Sequence, residues 1–199
     1  NNYLFVVLIR KPINTWILSL FEDKKAIAKD ASIWRDETNH KTEWFSSVSK
    51  PDETNFINYV LKNTHKEDSI LDICCNQGRY LKFLFKNGYS NLFGVDIMKP
   101  AIDILQNSPE YLHGGIDAEC QMAQDYLLRC RNECVDYAIT YTATIELIHP
   151  NFKLFEELNR ITRKGFIFAI NENKQGYPRF YRYLIKKAGF KKINIYKIS

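Results

Sequence analysis

Two aspartates, Asp72 and Asp96, stand at or near the ends of short apolar runs, and a turn of small and amide residues follows the first. The runs are typical of buried strands, and the residues after Gly78 show the apolar spacing of a helix. A strand that turns directly into a helix leaves free backbone N–H groups and a positive dipole end at the turn. Small side chains there let a ligand reach the main chain. The stretch therefore predicts a nucleotide pocket.

The spacing within the turn separates two kinds of nucleotide site. Dinucleotide-binding folds have the motif G-x-G-x-x-G, in which the third glycine packs the helix on the sheet. Counted from Cys74 and Asn76, that third position is Arg79, which cannot pack as a glycine does. Asp96 ends the next apolar run, where a nucleotide-binding half-fold places the carboxylate that accepts hydrogen bonds from the ribose hydroxyls. The alternative for Asp96 is an N-cap of a helix over Lys99–Gln106.

Residues 71–78 resemble the first motif of class I S-adenosylmethionine-dependent methyltransferases, an apolar run and an acidic residue followed by x-Gly-x-Gly-x-Gly. Cys74 and Asn76 take two of the three glycine positions, and Gly78 keeps the third. Asn tolerates a positive φ best after Gly. Residues 135–140 resemble the family's fourth strand, residues 145–150 the stretch after it, with Leu147 where a His usually stands, and residues 158–170 the passage into the fifth strand. The resemblance runs from about residue 52 to residue 197.

This resemblance implies that the chain binds S-adenosylmethionine and releases S-adenosylhomocysteine. Carried over position by position, the expected cofactor-binding residues are Asp72, Cys74, Asn76, Gly78, Asp96, Ile97, Asp117 and Thr140. Asp117 follows a third strand predicted over residues 111–116, where the family often has a polar residue that reaches the adenine amino group. Asp117 is equally suited to cap a helix predicted over residues 119–131.

Methyl transfer from a sulfonium is an in-line displacement, so the protein mainly holds donor and acceptor in near-attack geometry and removes a proton from a hydroxyl or ammonium acceptor. A base must lie at the carboxyl ends of the strands, where open α/β sheets bind ligands. His149 and Glu146, just after the fourth strand, are the candidates. The alternatives are that Glu146 faces solvent or caps a turn and that His149 only ends the loop. Glu172, Arg179 and Tyr181 are further candidates for the acceptor side.

Strand and helix patterns alternate along the chain, which predicts an α/β fold. We expect a Rossmann-like, doubly wound, mostly parallel sheet of six or seven strands with helices on both faces. The family's seventh strand is antiparallel and would follow residue 198. We therefore expect either a six-stranded sheet or an edge partner from the apolar run Tyr3–Ile9.

Two parts of the chain are distinguished. Residues 1–51 are predicted to be a helical lid or extension, and residues 52–199 the S-adenosylmethionine-binding domain. Ile13, Trp16 and Leu20 share one predicted helix face, which would pack on the domain or on a partner subunit in a homodimer. By the resemblance, Trp34 would cover the methionine end of the cofactor, although plain packing explains it too. The run at residues 3–9 is too short to span a bilayer and lacks the features of a signal peptide.

The composition is that of a globular protein and gives no sign of a zinc site. Of 199 residues, 45% are hydrophobic and 14% aromatic, as in a globular domain, and a net charge of +5 is mild. The five cysteines lack zinc-site spacing, so we expect reduced thiols in a cytoplasmic protein and no metal.

The function predicted is methyl transfer to a small-molecule O or N acceptor. The motifs look most like bacterial enzymes of surface-sugar or secondary-metabolite pathways. An amino-base nucleic-acid methyltransferase would need an Asn/Asp-Pro-Pro-aromatic tetrapeptide after the fourth strand, which is missing, so nucleic acid is not the expected partner. The alternatives are an RNA methyltransferase, for which the basic C-terminal residues leave room, and a non-catalytic S-adenosylmethionine-binding protein.

Overall fold

Seven strands make up one sheet in the computed structural model, which describes residues 3–9, 46–142, 148–149, 151–171 and 181–197. In chain order the strands are β1 Tyr3–Ile9, β2 Ile70–Ile73, β3 Leu92–Asp96, β4 Ile116–Cys120, β5 Val135–Tyr141, β6 Thr162–Asn171 and β7 Lys192–Lys197. They lie in the order β4-β3-β2-β5-β6-β1-β7, and every neighbouring pair is parallel. The order runs outward in opposite directions from β2 and β5. The ligand crevice of such a sheet lies at the carboxyl ends of these two strands.

Helices cover both faces of this sheet. Those of the described residues are α1 Pro51–Asn63, α2 Arg79–Lys86, α3 Lys99–Gln106, α4 Pro109–Leu112, α5 Ala123–Arg129, α6 Leu154–Ile161 and α7 Tyr181–Lys187. One face is covered by α1, α2 and α3, whose Phe56, Leu81 and Ile102 share a buried cluster. The other is covered by α5, α6 and α7 through a second cluster. The predicted doubly wound α/β fold is confirmed.

The central strands read as continuous apolar runs because both of their faces are buried. In β6, Phe166 and Phe168 belong to one cluster, and the intervening Ile167 belongs to the other. All three side chains are fully buried. The sheet is therefore the middle layer of the molecule.

The N-terminal strand β1 lies inside the sheet. It pairs with β6 on one side and β7 on the other, so that Val6 is opposite both Phe168 and Ile195. The sheet has seven of the expected six or seven strands, and Tyr3–Ile9 supplies one of them, but this strand does not lie at an edge as that alternative expected. The seventh strand comes from the N-terminal segment and is parallel, and β7 is the edge strand.

The predicted third strand is shifted. Residues 109–112 form α4 instead, because Ser108 caps this turn by accepting the Tyr111 N–H at 3.4 Å and Gly114, with φ +82°, ends the segment. The strand β4 begins only at Ile116, and the helix predicted over residues 119–131 is shortened to Ala123–Arg129.

Several predictions fall outside the described residues. They are the helix face at Ile13, Trp16 and Leu20, the lid residue Trp34, and the candidates Glu146, Glu172 and Arg179. None of the helices in the described part of the chain has the length and apolar character needed to span a bilayer.

Candidate active site at the carboxyl edge of the sheet

The turn after β2 has a left-handed backbone at each of the three positions where the motif has glycine. The φ angles of Cys74, Asn76 and Gly78 are +60°, +50° and +67°. The turn is held to β3 because the Cys75 N–H donates to Val95 O at 3.1 Å. Glycine is favoured at the third position, since a Cβ on Gly78 would lie 2.6 Å from Cδ1 of Leu105 and the backbone φ is positive. The turn thus has the glycine-motif conformation with two other residues in glycine positions.

Asp96, at the end of β3, faces this turn. Its side chain is buried, and its carboxylate accepts the Asn76 N–H at 2.7 Å and the Met98 N–H at 2.9 Å. The two bonds use different oxygens of the carboxylate. Asp96 thus lies beside the turn and is bound to its backbone.

Asp72, in β2, is a second buried carboxylate beside the turn. Only 2% of it is exposed, and its Oδ2 has no hydrogen-bond donor among the described residues. Burial raises the pKa of Asp72 well above its ordinary value, opposed by the nearby Arg79 guanidinium and reinforced by the Asp96 carboxylate. A buried acceptor without a donor is costly. A ligand N–H placed at this oxygen would remove that cost.

Thr140 and Ile97 occupy supporting positions. Thr140, fully buried in β5, donates from Oγ1 to Ile73 O at 2.9 Å and so ties β5 to the strand end that enters the turn. Ile97 directly follows Asp96 and is half-buried. Thr140 is therefore placed to hold the turn, while Ile97 offers part of an apolar surface beside Asp96.

Asp117 does not lie where the sequence suggested. Because β4 runs through residues 116–120, Asp117 falls within the edge strand with its side chain exposed, and it caps no helix. The first residue past β4 is Gln121, whose N–H donates to Asp96 O at 2.9 Å. Gln121 is the polar residue at this strand end. In the sequence, the apolar Ile116 and Ala118 alternate with polar residues, which indicates a strand that continues past Asp117.

Beside the turn lies a group of charged and aromatic side chains that the sequence analysis does not predict. Arg79 pairs with the buried Glu53 of α1 at 2.8 Å, and its guanidinium lies over the rings of Tyr80 and Tyr141 at 4.7 and 5.6 Å. Tyr141, at the end of β5, donates to Asp52 at 2.5 Å. Burial, followed by this hydrogen bond, raises the pKa of Tyr141, so its phenol stays protonated. These contacts fix the start of α1 against the turn, and only the position of Arg79 hints at them.

His149 lies past the end of β5 and is buried. Its Nδ1 accepts the Asn151 N–H at 3.1 Å, which puts the proton of the neutral ring on Nε2. In this geometry His149 offers a hydrogen-bond donor, and it would act as a base at Nδ1 only after losing the Asn151 bond.

Tyr181 is packed in the core against Phe155, so it does not face an acceptor. Thr142, just past β5, has a φ of +61°, which nothing in the sequence signals.

A family described as "Methyltransferase domain" matches residues 70–165. The match begins at β2 and includes the turn, Asp96, Gln121, Thr140 and His149. The chain carries a methyltransferase domain. The parallel sheet and the turn at its switch point make this domain one of the class I, S-adenosylmethionine-dependent type, which confirms the resemblance. Within the described residues no group of His, Cys, Asp or Glu side chains is arranged to hold a metal ion.

Solved structures share the fold at low sequence identity. An S-adenosylmethionine-dependent methyltransferase from Aquifex aeolicus is 16% identical with a TM-score of 0.53, over 76% of this chain and 89% of that one. WbdD, crystallised with a kinase inhibitor, is 16% identical with a TM-score of 0.58, over 81% of this chain and 41% of that one. A putative methyltransferase from an antibiotic biosynthesis pathway of Anabaena variabilis is 20% identical with a TM-score of 0.49, over 62% of this chain.

The chain spans about half the length of that Anabaena protein, 47%, and less of WbdD. No curated protein matches the chain in sequence. The likenesses to the Aquifex protein and to WbdD establish the fold, and they do not identify the acceptor.

Proposed function

We propose that the protein transfers a methyl group from S-adenosylmethionine to an O or N atom of a small-molecule acceptor. The observation that carries this proposal is the pair of buried carboxylates, Asp72 and Asp96, on either side of a left-handed turn at the switch point of the sheet. When bound, the cofactor supplies a methyl group already activated by the sulfonium charge. The chain then has to bind, orient and move one proton.

The cofactor-binding roles follow from the positions of the two carboxylates. Asp96, at the end of β3 beside the turn, would accept hydrogen bonds from two neighbouring ribose hydroxyls. Asp72 has an oxygen without a donor, which suits the ammonium group of the methionine part. Charge-assisted hydrogen bonds of this kind are among the stronger polar contacts. Cys74, Asn76 and Gly78 would let the cofactor approach the backbone of the turn between the two carboxylates.

Other positions follow from the strand ends. Gln121, in place of Asp117, would face the edge of the adenine, and Ile97 would pack against the adenine ring. Thr140 would hold the turn. His149 and Glu146 remain the proposed proton carriers on the acceptor side, and His149 would first orient the acceptor by donating from Nε2.

Calorimetry tests cofactor binding. S-adenosylmethionine and S-adenosylhomocysteine should both bind the purified protein, and NAD, as the control nucleotide, should not. Asp117→Asn is the matched variant, because this exposed carboxylate lies on the neighbouring strand and should leave the affinity unchanged. Absence of heat with both sulfur nucleosides would overturn the proposal.

Turnover with methyl-labelled cofactor tests the reaction. Label should enter small hydroxyl or amine compounds, and His149→Asn should change the pH profile of kcat rather than cofactor affinity. Label in RNA instead would favour the RNA methyltransferase alternative. Binding without label in any acceptor would favour a non-catalytic role.

A homodimer through the N-terminal segment and a cytoplasmic location remain predictions. Gel filtration would check the first and cell fractionation the second.

A further inference from the structure

Tyr80, at the start of α2, has a buried hydroxyl with no hydrogen-bond partner among the described residues. Only 3% of the residue is exposed. Burial raises the pKa of Tyr80 far above its ordinary value, opposed by the Arg79 guanidinium, so the phenol keeps its proton. A buried hydroxyl without a partner costs free energy that a phenylalanine of nearly the same shape would not. The hydroxyl is therefore a candidate contact for a ligand.

Asp72 lies in the same layer of the molecule as Tyr80, between the sheet and the helices α1 and α2. Along β2, Leu71 and Ile73 pack into the cluster under α5, α6 and α7, whereas Ile70 packs into the cluster under α1 and α2. Because side chains alternate along a strand, Asp72 points to the same face as Ile70. Tyr80 is buried in the cluster on that face.

The register of β5 brings the two residues to the same edge of the sheet. Asp72 is opposite Ile139, and Tyr141 comes two residues later on the same face. The centre of the Tyr141 ring is 5.8 Å from that of the Tyr80 ring. Asp72 and Tyr80 therefore lie in one layer beside the same turn, which Asp72 precedes and Tyr80 follows.

A positive charge lies beside the hydroxyl. The Arg79 guanidinium is 4.7 Å from the centre of the Tyr80 ring and 5.6 Å from that of Tyr141, and it pairs with Glu53 at 2.8 Å. The layer thus combines a carboxylate oxygen without a donor, on Asp72, with a protonated hydroxyl and a cation. These groups complement an α-amino acid, whose ammonium donates hydrogen bonds and whose carboxylate accepts them.

We propose that the Tyr80 hydroxyl binds the carboxylate of the cofactor's methionine part, while Asp72 binds the ammonium of the same amino-acid group. This role rests on the proposed function and deepens it. The turn and Asp96 bind a nucleoside, whereas Tyr80, with the positive charge of Arg79 beside it, selects nucleosides that carry an amino-acid end. Tyr80 is a binding residue and carries no proton in the reaction, since its phenol stays protonated.

Calorimetry with two ligands tests this assignment. S-adenosylhomocysteine and its decarboxylated analogue differ only in the carboxylate. Tyr80→Phe should weaken the binding of S-adenosylhomocysteine about tenfold, because it removes a hydrogen bond to a charged group. The same variant should bind the decarboxylated analogue as the unchanged protein does. Asp72→Asn, in contrast, should weaken the binding of both ligands, since both carry the ammonium.

Tyr89→Phe is the matched control. Tyr89 is also 3% exposed, but its hydroxyl is hydrogen-bonded to Thr64 Oγ1 at 2.8 Å, beyond the carboxyl ends of α1 and α2. This variant should lower the urea midpoint of the ligand-free protein and leave both affinities unchanged. Tyr80→Phe should not lower that midpoint, because the hydroxyl that it removes has no partner in the ligand-free protein.

Failure of this role is distinguishable from failure of the proposed function. If the unchanged protein binds neither ligand, the proposed function fails and the role of Tyr80 fails with it. If the unchanged protein binds S-adenosylhomocysteine, but Tyr80→Phe loses no affinity or loses it equally for both ligands, only the assignment of Tyr80 is overturned. A midpoint as low as that of Tyr89→Phe would also overturn it, because the hydroxyl would then have a partner within the ligand-free protein.

Discussion

Aspartates at the two ends of the sheet differ in whether their carboxylate oxygens have hydrogen-bond partners. At the amino end, Asp136 accepts from Ser69 N at 3.0 Å and from Arg163 at 3.0 and 3.1 Å, and Asp68 pairs with Lys164. At the carboxyl end, Asp72 has an oxygen with no donor in the described part of the chain. A folded protein normally satisfies its buried polar atoms. The difference indicates that the amino end is built for stability and the carboxyl end for a ligand.

Backbone strain shows the same division. Three of the four non-glycine residues with positive φ in the described part of the chain, Cys74, Asn76 and Thr142, lie at the carboxyl ends of β2 and β5. The fourth is Glu133, at the amino end. A left-handed backbone costs a non-glycine residue about 1–2 kcal/mol, and such costs concentrate where a ligand is held. The comparison can be tested one aspartate at a time.

The largest effect should come from Asp96→Asn. The change removes the negative charge that would accept the ribose hydroxyls, and we expect the affinity for S-adenosylhomocysteine to fall about 100-fold, since hydrogen bonds to charged groups are worth about 1.5–3 kcal/mol each. Calorimetry measures this directly. Asp136→Asn is the matched control at the amino end and should bind as the unchanged protein does. Equal losses in both variants would mean that the two ends do not differ in ligand binding.

Asp136→Asn should instead destabilise the fold, by about 2 kcal/mol, because it weakens charge-assisted bonds to Arg163. These bonds, against an opposing effect of burial, hold the pKa of Asp136 well below its ordinary value. Its contribution to stability is therefore present above the unfolded pKa of about 3.9 and is lost as the pH falls further. Urea titrations between neutral and acidic pH measure this.

The control for that titration is internal. The variant and the unchanged protein should differ at neutral pH and converge as the pH falls below about 4. A constant difference across the range would contradict the ionic explanation.

Asp72→Asn should change stability in the opposite direction. Burial raises the pKa of Asp72, so its contribution is present below the unfolded pKa and is lost as the pH rises through the folded pKa. At neutral pH a neutral amide removes the buried charge, and we expect the ligand-free protein to gain about 1 kcal/mol. The same variant should bind S-adenosylmethionine more weakly. Denaturant midpoints with and without ligand separate the two effects, and a loss of stability without ligand would refute the interpretation.

The sequence predicts the part of this site that local patterns determine. Apolar runs ending in Asp72 and Asp96 predict two strand ends, and parallel pairing brings these ends to one edge. The residue types of Asn76 and Gly78 are compatible with the left-handed backbone found in the turn. The resemblance to the methyltransferase family added the cofactor, because spacing alone indicated only a nucleotide.

Tertiary contacts determine the features that the sequence does not predict. Asp117 was placed past a strand that starts later than its apolar residues suggest, because Ser108 and Gly114 first define a short helical turn. Neither alternative given for Tyr3–Ile9 had it inside the sheet, because pairing partners distant in the chain are not encoded locally. The contacts of Glu53 with Arg79 join residues 26 positions apart, and no local pattern predicts them.

The smallest effect should come from relieving the left-handed backbone at one position in each region. Cys74→Gly and Glu133→Gly each remove a side chain from a positive φ, which gains about 1–2 kcal/mol, less the greater freedom of unfolded glycine, about 0.5–1 kcal/mol. We expect a net gain near 0.5 kcal/mol in both, measured by urea unfolding. Only Cys74→Gly should also weaken S-adenosylhomocysteine binding, by about twofold, because a looser turn must be ordered when the ligand binds. If Glu133→Gly weakened binding to the same degree, strain at the carboxyl end would have no special connection with the ligand.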